Sequence, residues 1–365
     1  MGTPLFDPRA CKLHPVSLSD TLMSGSLQGA VVSCKRRPIL CTERRLLALL
    51  DPLIAPMKES VPDLPILSFQ GGERNKTRRS KERLEDALLA MGADRNSLLI
   101  AMGGGVVTDL VGFAAATFMR GIPWIAVPTT LLGMVDASLG GKTAVDTPRG
   151  KNVIGAFHPP VEVCVALDTL RTLPPKQFLC GLAECLKHGL CMDGSYFRWL
   201  HALKVGNLRR DPCLLHHLVA TSVALKCAVV DEDPEEKTGR RNILNAGHTV
   251  GHALERLSSY RMFHGEAVAA GLLWESAAAV ADGYLKEADL APVEESIAGL
   301  GFSRAWRVFS PEAVFVAAGT DKKNRAGTVA YVPLGSVGRP ALPPPHLAEL
   351  RLASLRAGLR LLGKA

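Results

Sequence analysis

The sequence predicts an α/β protein: a Rossmann-like parallel α/β domain over residues 1–174, followed by a mainly α-helical domain over residues 175–365. Three observations carry this. Between residues 30 and 170 short apolar runs alternate with polar helical stretches, the pattern of βαβ units. A triple glycine closes one of those runs just before a helical stretch, as loops that approach a nucleotide do. Past Thr172-Leu173-Pro174-Pro175 the chain becomes Ala/Leu-rich, with 3.6-residue periodicity to about residue 300 and few strand signals.

In order, Pro65-Ile66-Leu67-Ser68-Phe69 reads as a strand. Lys76 to Met91 reads as a helix that places Leu84, Ala87, Leu88 and Met91 on one face. Ser97 to Met102 is a second buried strand, ended by Gly103-Gly104-Gly105, and a helix follows from about Val106 to Met119. Trp124 to Pro128 is a third strand, leading into Thr129-Thr130. Gly335 to Pro345 is a Pro/Gly-rich connection, and Leu347 to Leu362 is a basic amphipathic helix expected to dock on the body of the protein rather than on a membrane.

Composition narrows the function. Charged residues make up 21% and apolar residues 47% of the 365 residues, the balance of a globular chain. No run approaches the about 18 unbroken apolar residues of a membrane span. The opening Met1 to Phe6 lacks the marks of a secretory or myristoylation signal. A soluble, cytoplasmic protein is expected. Nine cysteines, an odd number with no Cys-x-x-Cys pair, fit free thiols in a reducing compartment. The net charge of +8 suits either nucleic acid or a small anion. With 5% aromatics and no Lys/Arg stripe interleaved with stacking rings, the small anion is favoured.

The chemistry gathers in three places. Gly103-Gly104-Gly105 ends a strand before a helix, where a pyrophosphate can meet backbone N–H groups, although Thr108 stands where a dinucleotide fingerprint has its third glycine. Gly140-Gly141-Lys142-Thr143 resembles the end of an ATP-binding loop, but the first glycine of that motif would fall at Asp136. What remains is Lys142, with Lys151-Asn152 after a turn at Pro148-Arg149-Gly150, read as adjoining loops for an anionic ligand. Finally, His248 and His252 share a helical face, His264 lies near a helix start, and Glu184 and Lys187 share another helix face. Two histidines and a carboxylate are a catalytic zinc set. Spacing does not decide which; periodicity favours His248 and His252, with His188 a rival to Glu184. Together these describe oxidation of an alcohol on an anionic substrate, with NAD accepting hydride.

Over roughly residues 65 to 335 the motifs resemble the 3-dehydroquinate synthase family. They are Gly103-Gly104-Gly105 with Asp109, Phe118-Met119-Arg120-Gly121, Val127-Pro128-Thr129-Thr130-Leu131-Leu132, Val135-Asp136, Gly141-Lys142-Thr143, Gly150-Lys151-Asn152, Ala183-Glu184 with Lys187, Lys226, Arg241 with Leu244-Asn245, Gly247-His248, His252, His264-Gly265-Glu266 and Asp321-Lys322-Lys323. The resemblance implies zinc (or cobalt) on Glu184, His248 and His264, in place of the periodicity choice of His252. It implies NAD against Gly103, Gly104, Gly105, Asp109, Thr129, Thr130 and Thr172, with Glu73 and Lys76 closing the other side. A 3-deoxy-arabino-heptulosonate 7-phosphate would then meet Asp136, Lys142, Lys151, Asn152, Lys187, Lys226, Arg241, Asn245, His252 and Lys322. A homodimer is implied, with Arg120 reaching the partner's phosphate site. The implied reaction cyclises the sugar acid with loss of phosphate.

One departure stands out. The family has an Asp, and two residues later an Asn, at the end of an early strand, and the matching stretch Leu40 to Arg44 has neither. An altered preference between NAD and its phosphorylated form is one consequence to expect, with Arg44 available for the extra phosphate. The alternatives are an amino-dehydroquinate synthase or another sugar phosphate cyclase, and, further off, a metal-dependent polyol dehydrogenase. Asn245, His252 and Lys322, which valiolone-type cyclases replace, favour dehydroquinate. The Lys/Arg/Asn set argues against a neutral polyol.

Overall fold

A computed structural model of the chain describes residues 11–20, 27, 29, 31, 34–203, 205–303, 305–319 and 328–363. Lys322, with its neighbours Asp321 and Lys323, lies outside the described residues, as does the opening Met1 to Phe6. The chain divides into two compact units, one reaching Pro174 and adding Leu215–Pro234, the other formed by Pro175–Leu214 and Glu235 onward.

The first unit is built on a six-stranded sheet in the order β1-β8-β5-β4-β2-β3, every pair parallel. The strands are β1 Val16–Ser19, β2 Arg37–Glu43, β3 Ile66–Phe69, β4 Ser97–Gly103, β5 Trp124–Pro128 and β8 Glu162–Ala166. Every residue of β4 and β5 is buried. Such continuous apolar strands are covered on both faces, as parallel sheets require. One face carries Leu40, Ile54, Leu98, Ile100, Ile125 and Val127 in a single apolar cluster. From β2 the chain moves outward to β3, then returns to the other side of β2 for β4. The carboxyl ends of β2 and β4 therefore flank the topological switch point, where open α/β sheets bind ligands.

The expected helices form with trimmed ends. The first is Arg78–Ala90, because Thr77 caps it by accepting the Ser80 N–H at 3.2 Å, while the Lys76 carbonyl accepts the Asp146 N–H at 2.7 Å. The second is Gly105–Thr117, since Met119 and Arg120 take left-handed φ values of 51° and 69°.

Two readings need correction. Lys142 and Lys151-Asn152 do not sit on adjoining loops; they lie on an antiparallel hairpin of β6 Lys142–Thr147 and β7 Gly150–Phe157. Lys142 opposes Phe157 at the open end, while Thr147 opposes Gly150 at the turn. At about 3.3 Å per residue, the two basic positions stand at opposite ends of the hairpin. Nor does everything after residue 174 join the helical unit. The helix Pro212–Glu232 groups with the first unit from Leu215 on. Its Asp231 carboxylate accepts the N–H groups of Lys12 and Leu13 at 2.9 and 3.0 Å, and Lys226 bonds Asp136. That helix is long and apolar enough to cross a membrane, yet Leu218, Val219, Val223, Cys227 and Val230 are all buried within the protein. Beside it the His14 ring, almost wholly buried, accepts the Gly140 N–H through Nε2 at 3.0 Å.

Among the described residues the second unit is helical apart from two short antiparallel strand pairings, Leu334–Ser336 with Arg339–Pro340 and Ala330–Tyr331 with Ala348–Glu349. Its centre is the helix His264–Ala281, buried on all sides from Ala267 to Ala279, as an apolar helix must be. Helices Pro175–Met192, His248–Leu257, Leu290–Gly299 and Leu352–Leu361 pack around it. The last of these is the basic amphipathic helix, docked through Leu355, Gly358 and Leu359 as expected. The crossing of His264–Ala281 with His248–Leu257 is close: a Cβ at Gly271 would lie 1.9 Å from the Gly247 carbonyl oxygen. Gly271→Ala should therefore destabilise the protein by about 1–3 kcal/mol, read from the urea midpoint by tryptophan fluorescence; an unchanged midpoint would show that the crossing yields without cost.

Candidate functional site

At the switch point, Gly103 ends β4 and Gly104 precedes the helix Gly105–Thr117, whose N-terminus has no side-chain cap. Its orphan N–H groups are available to an anion. Side chains would close this cradle. A Cβ on Gly104 would meet Thr130 Cγ2 at 3.2 Å, and one on Gly105 would meet the Ala137 Cβ at 3.2 Å. Thr129 is fixed beside it by its N–H to the Gly103 carbonyl at 2.9 Å, and Thr130 Oγ1 accepts the Gly133 N–H at 3.0 Å. Thr172 ends a 3-10 turn, with its hydroxyl towards the Thr169 carbonyl at 3.5 Å. The turn at Gly103–Gly105, which side chains would close, leaves its backbone open to a group such as a pyrophosphate.

Nearby, Lys76 is almost wholly buried and donates to Asp109 and to the Asn152 side-chain oxygen. Asn152 accepts its left-handed φ of 52° and donates its N–H to Asp146 at 2.8 Å. Lys151 stands 3.7 Å from Glu73. Burial alone would lower Lys76, but Asp109 and Glu73 outweigh it and keep the ammonium charged. Lys151 and Asn152 thus share a cluster with Glu73, Lys76 and Asp109. Asp136 and Lys226 form a second cluster, in which the ammonium bonds both the Asp136 carboxylate and its main-chain carbonyl. Asp136 belongs to a π-helical turn, Gly133–Ala137, a distortion that recurs at functional sites.

The second unit holds the other constellation. Glu184 has no exposed surface in the middle of the helix Pro175–Met192, and Lys187, one turn on, pairs with it. Two imidazoles converge on one of its oxygens: His264 Nε2 is 3.3 Å and His248 Nε2 3.6 Å from Oε1. One ligand atom from each of the three residues lies within 4.8 Å of the others. The second nitrogen of each ring is engaged elsewhere, His248 Nδ1 with the Ala246 carbonyl at 3.1 Å and His264 Nδ1 with Glu255 at 3.6 Å. Both Nε2 atoms are thereby turned towards the carboxylate, an arrangement that a divalent cation satisfies. Burial opposes the charge on Glu184, but Lys187 and the two histidines hold it well below the usual carboxylate range. Burial drives His248 well below its ordinary value, into the neutral ligating form. Burial also works against His264, yet hydrogen bonds to Glu184 and Glu255 push it up to about 10.

His252, the choice from periodicity, lies outside this group, its ring centroid 5.4 Å from that of His248. Arg241 is buried in the 3-10 turn Arg240–Asn245, 3.5 Å from Glu236, and Asn245 ends the same turn. Arg120 is exposed at its strained turn. Three acids escaped the sequence reading. Glu43, buried at the tip of β2, pairs with Arg45; an acid ending the strand beside the switch point was the available signal. Glu255 and Glu275, both buried, lie one on each of the two histidine-bearing helices; being acids amid apolar helical runs was their signal.

An uncapped helix at a parallel-sheet switch point, with a carboxylate and two imidazoles converging elsewhere in the chain, has the makings of a nucleotide site and a divalent-metal site. The 3-dehydroquinate synthase N-terminal family matches residues 66–180 and the C-terminal family residues 181–324. A 3-dehydroquinate synthase from Halorhodospira halophila is 45% identical over 303 residues, 80% of this chain and 84% of that protein. Among solved structures, a 2-epi-5-epi-valiolone synthase from Streptomyces hygroscopicus subsp. jinggangensis with NAD+ and Zn2+ bound aligns with a TM-score of 0.85 at 25% identity, over 96% of this chain and 97% of that one. A 2-deoxy-scyllo-inosose synthase complexed with carbaglucose-6-phosphate, NAD+ and Co2+ aligns at 0.80 and 26%, over 95% and 96%. The chain belongs to the 3-dehydroquinate synthase family.

Replacing Lys76 with Met would leave Asp109 without its cation. We expect a loss of about 3 kcal/mol, the low end for breaking a buried pair, and recovery of part of it when Asp109→Asn is added. Urea unfolding of the single and double variants checks this, and a double variant no better than the single would reject the pairing as the cause.

Proposed function

We propose that the chain is a 3-dehydroquinate synthase, a carbon–oxygen lyase that converts 3-deoxy-D-arabino-heptulosonate 7-phosphate to 3-dehydroquinate and phosphate. The observation that carries this is the convergence of His248 and His264 Nε2 on Glu184 Oε1 in a chain whose relatives bear that name. When bound, NAD supplies reversible hydride acceptance, and zinc or cobalt on Glu184, His248 and His264 acidifies the hydroxyl being oxidised.

The protein's own groups do the rest. Gly103, Gly104, Gly105, Thr129, Thr130 and Thr172 would hold the nucleotide, with Asp109, Glu73 and Lys76 beside it. The substrate's carboxylate and phosphate call for cations and amides, and Lys142, Lys151, Asn152, Lys187, Lys226, Arg241 and Asn245 are the residues that would supply them. Lys322 would add a further cation, Asp136 would orient a hydroxyl, and His252 would contact the substrate or its phosphate. Lys187, paired with Glu184, would steady negative charge beside the metal ligands, a role that its ion pair supports. The substrate's own phosphate would take the proton during elimination, so the chain need not provide a dedicated base.

A homodimer in which Arg120 reaches the partner's phosphate site is part of this reading, supported by the exposure of Arg120 on a strained turn. So is a cytoplasmic location, supported by nine free cysteines. The test is phosphate release from 3-deoxy-D-arabino-heptulosonate 7-phosphate with NAD, before and after chelation. Release should need both NAD and metal, yield 3-dehydroquinate, and fall by at least about 10²-fold in Glu184→Gln. A folded, metal-loaded protein releasing no phosphate would redirect the reading to the amino-substrate or sedoheptulose cyclases.

A further inference from the structure

The two helices that bring His248 and His264 together also carry two buried acids that the reaction does not use. The helix His248–Leu257 starts at one histidine and holds Glu255 seven residues on; the helix His264–Ala281 starts at the other and holds Glu275 eleven residues on. At 3.6 residues per turn both acids return to the face of the histidine that opens their helix. Glu255 is 4% and Glu275 3% exposed. Acids this deep persist only where partners repay their desolvation.

Each acid serves the other helix. Glu275 Oε2 accepts the Gly247 N–H at 2.7 Å, and Oε1 accepts the Val250 N–H at 3.0 Å. These donors bracket His248. They include orphan N–H groups at a helix start, and Gly247, in its left-handed N-cap position with φ of 76°, has no side chain to satisfy them. The neighbouring helix provides the cap instead. Glu255 Oε2 lies 3.6 Å from His264 Nδ1. A carboxylate beside Nδ1 favours a proton on that nitrogen and so presents Nε2 as the atom that would ligate a cation held next to Glu184.

We infer that Glu255 and Glu275 are positioning residues acting as a reciprocal brace: each histidine-bearing helix carries the carboxylate that orients the other's ligand. The inference rests on reading Glu184, His248 and His264 as the metal ligands.

The test uses the full chain. Zinc affinity is measured by competition with a chromophoric chelator, and the cobalt-loaded protein's visible absorption reports ligand geometry. Glu255→Gln should keep the wild-type urea midpoint, bind zinc about 10–100-fold more weakly, and shift the cobalt spectrum. Glu275→Gln should weaken zinc binding to a similar degree; if it does not fold, Glu255→Gln alone decides. A folded Glu255→Gln with wild-type affinity and spectrum overturns the brace. Glu184→Gln, run alongside, separates the two readings. If it too leaves zinc affinity unchanged, the ligand assignment has failed and the brace falls with it; if it abolishes binding while Glu255→Gln changes nothing, only the brace has failed.

Discussion

A carboxylate with no exposed surface in the middle of a helix has to be compensated, and Glu184 organises the second unit around that need. Removing such an ion from water costs several kcal/mol unless opposite charge and hydrogen bonds are placed close by. Lys187 comes from the same helix, and two imidazoles come from two others. Small residues let those helices approach. A Cβ on Gly265 would lie 2.3 Å from the Cα of Cys180, one turn before Glu184, so only glycine there lets the start of the His264 helix reach the carboxylate. Gly247 and Gly271 do the same for the remaining crossing.

The first unit applies the same physics to a different end. Its charges are paired before any ligand is considered: Lys76 with Asp109 and Asn152, Lys226 with Asp136. Lysines held in this way are already oriented and partly stripped of water. An anion approaching either lysine would compete with a neighbouring carboxylate rather than with bulk solvent alone.

The parts of this architecture that were legible in the sequence are those governed by local pattern. Ser97 to Gly103 and Trp124 to Pro128 are unbroken apolar runs and form buried central strands. Val16 to Ser19 and the hairpin from Lys142 to Phe157 escaped: the first does alternate, but four residues is the shortest run that can show it, and the hairpin mixes polar residues and glycine with little alternation. Among the histidines, the spacing of His248 and His252 is a real helical-face signal, but it concerns one helix only. His264 reaches the same carboxylate from a different helix, and a tertiary crossing leaves no spacing to read. The resemblance to a known family supplied what periodicity could not. The helix from Pro212 to Glu232 was misplaced for a similar reason: its composition matches the helical unit, while its partners, Lys12, Leu13 and Asp136, are far away in sequence.

The buried ring of His14 has a practical side. Through Gly140 it is tied to the turn that leads into Lys142, while the neighbouring backbone at Lys12 and Leu13 is anchored five residues past Lys226. The stretch from Cys11 to His14 thus works as a strap across two lysine-bearing elements. Anyone shortening this chain for expression should cut before it, since a trim at residue 15 would loosen both ends at once.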